Sequence, residues 1–94
     1  MIVGTFTKQP NDRLDFDVDA NRWLTEYDND TIASVSATVN DPGLTLISTT
    51  HNGGIIKQWV EDGTSGVTYK VTIMMVTTAG RELEIEVKVK VKEV

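Results

Sequence analysis

The apolar positions of this chain fall on alternate residues, most clearly in its last third. Over residues 67–77, Val67, Tyr69, Val71, Ile73 and Met75 alternate with Thr68, Lys70, Thr72, Met74 and Val76. Over residues 81–92, Leu83, Ile85, Val87, Val89 and Val91 alternate with Glu82, Glu84, Glu86, Lys88, Lys90 and Lys92. A period of two in β-branched residues predicts strands with one buried face. A helix would scatter the apolar residues of 83–91 around its circumference.

The turn between these strands sets their register. A two-residue loop at Ala79-Gly80 would set Met75 opposite Glu84, a core position against a solvent position. A three-residue loop, Thr78-Ala79-Gly80, pairs Met75 with Leu83, Ile73 with Ile85 and Val71 with Val87. It also puts Gly80 at the left-handed position such loops need, so the three-residue loop is expected. Its consequence is Lys70 opposite Lys88, a like-charge pair that must splay into water.

The same reading extends to the rest of the chain. Residues 1–10 have weak strand character over 2–6 and break at Pro10-Asn11, as an edge strand or a docking arm would. Residues 13–18 alternate as a strand with Leu14, Phe16 and Val18 inward. Residues 20–25 are too short for a free helix. They read as a helical turn, capped by Asp19, that tucks Trp23 and Leu24 under one end of the core. Residues 26–30 are a polar loop. Residues 31–39 predict a strand with Ala33, Val35, Ala37 and Val39 inward, small side chains suited to packing against a large ring such as Trp23. Turns at Asp41-Pro42-Gly43, at His51-Asn52-Gly53-Gly54 and over residues 62–66 bound strands at 44–50 and 55–61. Either face of the last could be inner: Ile56, Gln58 and Val60, or Ile55, Lys57 and Trp59. Trp59 is expected in the core, with an outward docking or sugar-stacking Trp59 as the alternative.

About seven short strands separated by turns, with one helical turn at 20–25, predict an all-β fold: an immunoglobulin-like antiparallel β-sandwich. Tyr69, early in a late strand after Gly66, is placed to be a tyrosine-corner residue. The 94 residues suffice for a single domain spanning 1–94. Cysteine is absent, so neither a disulfide framework nor a cysteine metal knuckle is available. The formal net charge of −5 argues against a nucleic-acid partner. The row Lys88, Lys90 and Lys92, beside Glu82, Glu84 and Glu86, reads as a solvated or edge-protecting face. No stretch has the length of a signal peptide core or a membrane span, and no membrane partner is expected.

Candidate chemistry is sparse. Asp15, Asp17, Asp19 and Glu26 occupy the first, third, fifth and twelfth positions of an EF-hand-like spacing. Ala20 stands where the turn needs glycine, Arg22 intrudes, and Leu14/Phe16/Val18 alternation makes the first half extended. A weaker variant brings Asp28 or Asp30 to Asp17 or Asp19 around a cation. No metal, cofactor or catalytic residue is expected. His51 is the single histidine, and Ser34, Ser36, Ser48 and Ser65 lie outside any nucleophile elbow. The candidate interface residues are Met74 and Val76, which point away from the core face of their strand, with Trp59 and, in the polar loop, Tyr27 and Asn29. Cover of Met74 and Val76 by a neighbouring loop or the N-terminal segment is the alternative.

In order along the chain stand Leu14-Asp15-Phe16-Asp17, Trp23-Leu24, Asp30-Thr31-Ile32-Ala33-Ser34 and Pro42-Gly43-Leu44-Thr45-Leu46. Trp59, Gly63-Thr64-Ser65-Gly66-Val67-Thr68-Tyr69 and Thr77-Thr78-Ala79-Gly80-Arg81 follow. This ordered set resembles the small immunoglobulin-like fiber-tail adaptor proteins of tailed bacteriophages, over about residues 8–92. The departures are the Glu/Lys tail strand and Met74-Met75. The resemblance implies a non-enzymatic virion structural protein of the neck or tail, assembled in the bacterial cytoplasm. Its implied partners are other phage neck, tail or fiber proteins, with a homo-oligomeric ring in the virion and docking through residues 1–10 or 27–30. A carbohydrate-binding or adhesion module, which would need Trp59 or Trp23 exposed, and a capsid decoration protein are the alternatives.

Overall fold

The computed structural model describes residues 2–93. Seven strands are seen: β1 (Ile2–Lys8), β2 (Leu14–Asp19), β3 (Ile32–Val39), β4 (Leu44–Asn52), β5 (Ile55–Asp62), β6 (Thr68–Thr77) and β7 (Glu82–Val91). They form two facing sheets, one in the order β1-β7-β6-β3 and the other β2-β5-β4. β1 runs parallel to β7, and the other pairs are antiparallel. This arrangement is the expected immunoglobulin-like sandwich.

The β6–β7 hairpin has the register that the alternation dictates. Met75 pairs with Leu83, Ile73 with Ile85 and Val71 with Val87. Gly80, at φ 92°, closes the three-residue loop. Lys70 does face Lys88, and it relieves the repulsion by leaning diagonally to Glu86, with Nζ 3.8 Å from Oε1. The core collects Tyr69, Val71, Ile73, Met75, Ile85, Val87, Val89 and Val91 from this hairpin, and Phe16, Val18, Leu44, Ile56 and Val60 from the opposing sheet.

Residues 1–10 supply the edge strand β1, whose Phe6 ring lies 5.4 Å from that of Phe16; Met1 lies outside the described residues. Lys8, at its end, is buried. Its ammonium donates to the carbonyls of Asp62, Gln9 and Pro10, the last two at 2.7 and 3.3 Å. Burial pushes its pKa below the usual lysine value, against the pull of Asp12 and Asp62.

Trp23 and Leu24 sit under the core on α1 (Asn21–Leu24), which runs on into a 3-10 turn at Thr25–Tyr27. Asp19 Oδ1 accepts from Asn21 N at 3.0 Å, closing the entry to the turn. Tyr69 is the tyrosine corner: its buried hydroxyl accepts from Thr64 N at 2.9 Å.

Four expectations change. Val67, on the inward side of the alternation over 67–77, lies just before β6 and is exposed. In β3 the register with β6 slips between Ile32 and Ser34, so Ala33 is the extra residue of a bulge and is exposed. Ile32 takes the inward place beside Val35, Ala37 and Val39, all half-buried at this sheet edge. Leu14, at the start of an edge strand, is exposed rather than inward. In β5 the inner face is Ile56, Gln58 and Val60, each fully buried. Trp59 therefore lies half-buried on the outer face rather than in the core. Gln58 is tolerated inside because its side chain is paired twice: Oε1 accepts from the Thr49 hydroxyl, and Nε2 donates to Trp59 O at 3.0 Å.

Candidate functional site

One end of the sandwich is built from the 3-10 turn, the loop that follows it and the β6–β7 hairpin. Tyr27, Asp28, Asn29, Asp30, Thr31, Thr78, Ala79 and Arg81 line an open depression of about 410 Å³ there. Two consecutive left-handed residues, Asp28 and Asn29, both at φ 56°, turn the chain sharply between Tyr27 and β3. Short polar side chains that bond locally make this conformation accessible away from glycine.

Asp30 holds the end together. Its side chain is 4 % exposed. It accepts from Thr31 N at 2.9 Å, Ala79 N at 3.2 Å and Arg81 Nη1 at 2.8 Å. The Thr77 hydroxyl, these backbone N–H groups and Arg81 together hold its carboxyl at a pKa of about 2, against burial, which acts to raise it. The Thr31 and Thr78 hydroxyls meet beside it, and Thr78 N donates to Thr31 O at 2.8 Å. Arg81 then reaches outward, its guanidinium 4.9 Å over the Tyr27 ring. The loop is thus a preorganised platform with Tyr27, Asp28 and Asn29 exposed on its rim.

Of the five sequence-derived interface residues, the fold brings Tyr27 and Asn29 together on this rim. Met74 and Val76 lie elsewhere, half-buried on the outer face of the four-stranded sheet, between Ser36 and Glu84 and between Ser34 and Glu82. β1 does not lie beside them, because β7 separates β1 from β6. Trp59 is on the other sheet, level with Asp15 and Ser48.

Asp30 is engaged by Arg81 and backbone rather than facing Asp17 or Asp19 around a cation. Asp15 and Asp17 share Lys57, whose Nζ lies 2.7 and 3.1 Å from their oxygens. That contact lowers the Asp15 pKa and raises that of Lys57. Among the described residues no three His, Cys, Asp or Glu side chains converge as metal ligands would. Trp23 is buried with Arg22 over its ring at 5.1 Å and offers no open face for sugar stacking, whereas Trp59 is half-buried on the outer face of its sheet. The residues that sequence reasoning missed are Arg81, Thr77 and Thr78. Their one signal is position: Thr78 opens the three-residue hairpin loop, and Thr77 and Arg81 flank it.

The family model of the podophage GP4 fiber-tail adaptor protein gp77 matches residues 8–90. The chain belongs to this fiber-tail adaptor family. No curated protein matches it. Membership in an adaptor family implies interaction with other phage tail or fiber proteins. No helix among the described residues is long and apolar enough to cross a membrane.

Proposed function

We propose that the chain is a non-enzymatic component of the phage virion that joins neck or tail to fiber components as one immunoglobulin-like module. The docking surface is the Tyr27–Asn29 rim braced by Asp30 and Arg81. Family membership over residues 8–90 carries the reading. The geometry of the rim supports the choice of surface. Its base is held by the Asp30 bonds to Thr31 N, Ala79 N and Arg81 before any partner arrives, which lowers the ordering cost of association. Tyr27 presents a large amphipathic ring of the kind that anchors interfaces. Copies arranged as a ring would add many weak contacts into a strong one. The partners in this reading are phage neck, tail or fiber proteins, without nucleic acid or membrane, and assembly takes place in the host cytoplasm.

Docking through residues 1–10 fits less well, since β1 is paired along β7 from Ile2 to Lys8 and is part of the sheet. The test is a Tyr27→Ala/Asn29→Ala double variant carried in the phage. Expected are particles lacking the protein or its neighbour, while the isolated variant keeps the wild-type β-sheet circular dichroism and remains folded at the assembly temperature. Its Tm is lowered only by the strain of an alanine at the left-handed position of Asn29. A normal complement of the variant in infectious particles would refute the rim as the docking surface.

A further inference from the structure

The outer face of the four-stranded sheet carries its charges in two blocks. Across β6 and β7 the outward rows are Val76–Glu82, Met74–Glu84, Thr72–Glu86, Lys70–Lys88 and Thr68–Lys90. Glu82, Glu84 and Glu86 fill the half toward the hairpin, and Lys70, Lys88 and Lys90 fill the half away from it. Three acids match three bases, so this face is neutral, and the net charge of −5 resides on the rest of the chain. Glu86 is half-buried and the other five are exposed. On the β3 side the face continues as Ser34, Ser36 and Thr38, all small and exposed.

We infer that this face pairs with the same face of a second copy. The twofold axis lies between the two faces and crosses the strands at the level of Glu86. There the two Glu86 carboxylates approach each other, each compensated by Lys70 of its own copy. Glu82 and Glu84 of one copy then meet Lys90 and Lys88 of the other, and the relation repeats with the copies exchanged. An axis along the strands would stack glutamate on glutamate and lysine on lysine, so the block pattern selects the crossed arrangement. Such an isologous contact is closed and yields a dimer rather than a filament. Met74 and Val76 fall opposite the Lys70 and Thr68 region, where lysine stems can cover them. The contact lies on the sheet face rather than on the Tyr27–Asn29 rim, and its failure would leave the rim reading untouched.

The experiment is sedimentation velocity on the full chain from about 10 mM to about 1 M salt, over which the screening length falls from roughly 30 Å to 3 Å. A dimer at low salt that dissociates as salt rises is expected. Lys88→Glu/Lys90→Glu and Glu82→Lys/Glu84→Lys variants should each be monomeric at low salt, and mixing them in equal amounts should restore a mixed dimer. These substitutions are at exposed positions, and each variant is checked for the wild-type circular dichroism before mixing. A wild-type monomer at low salt and high concentration would overturn the inference, as would a mixture of folded variants that stays monomeric. Charge reversal that removes the protein from virions while the wild type remains monomeric would assign the face to a different virion protein, and would overturn self-pairing too.

Discussion

The Tyr69 hydroxyl occupies the space where a side chain on Gly43 would begin: a Cβ there would lie 2.7 Å from Oη and 3.1 Å from Asp41 Oδ1. The tyrosine corner therefore clamps two turns, bonding Thr64 N on one side and pressing on the Asp41-Pro42-Gly43 turn on the other. Tyr69→Phe should cost about 1 kcal/mol, the net worth of one hydrogen bond. Gly43→Ala should destabilise the wild type and do so less in the Tyr69→Phe background, where the clashing oxygen is gone. A double-mutant cycle by urea unfolding reads the coupling. Strict additivity would show that the two turns are not clamped through this hydroxyl.

The platform end should titrate through Asp30. Its folded pKa of about 2 lies below the ordinary 3.8. The contribution is therefore fully present above the ordinary value and is lost as pH falls through about 2. Asp30→Asn should lower Tm at neutral pH by loosening the Arg81 and Thr77 contacts. The gap from wild type should close as the pH approaches that of the folded titration. Urea midpoints measured over this acid range check it, and a gap that stays constant would place the acid sensitivity elsewhere.

The hairpin register was legible because two constraints agreed: the period of two fixed which residues face inward, and Gly80 fixed the loop that lets them pair. Where one of those constraints was missing, the reading slipped. β3 is apolar on its inward positions but carries a bulge at Ala33, which no residue type announces. β5 offered Ile56/Gln58/Val60 against Ile55/Lys57/Trp59, and the size of the indole outweighed the buried amide. The decision there belongs to Thr49 on the neighbouring strand, whose hydroxyl satisfies Gln58 and makes the polar residue acceptable inside. Tyr27 and Asn29 could be placed in a loop, but not their bracing. That bracing joins Asp30 to Arg81 across 51 residues of chain.

Lys8 is a buried cation without a carboxylate bonded to it among the described contacts; its donors go to three backbone carbonyls. It pins the end of β1 to the start of the turn after β5. Lys8→Met keeps the apolar stem and removes the donors, leaving the carbonyls to find water. A loss of about 1.5–3 kcal/mol is expected, the range for hydrogen bonds to a charged group. Amide exchange should rise first in Thr5, Phe6 and Thr7 if the lost anchor frees β1. An unchanged unfolding midpoint would show that water satisfies these carbonyls equally well.

Met74 and Met75 are neighbours with opposite fates. Met75 is fully buried in the core, and Met74 is half-buried on the outer face between Ser36 and Glu84. Truncating Met75 to alanine opens a cavity between the sheets and should cost about 2–5 kcal/mol. Truncating Met74 removes contacts only at the surface, and the expected change is within about 1 kcal/mol. Thermal unfolding of the two variants therefore separates core from face with the side chain chemistry held constant. The same pair separates stability from assembly. Met75→Ala should lower virion incorporation only as far as it lowers the folded fraction. Met74→Ala should keep its Tm, so any loss of self-association or incorporation would report contact at the outer face directly. Equal destabilisation by both substitutions would mean that the outer face is packed as tightly as the core, contradicting its half-buried state.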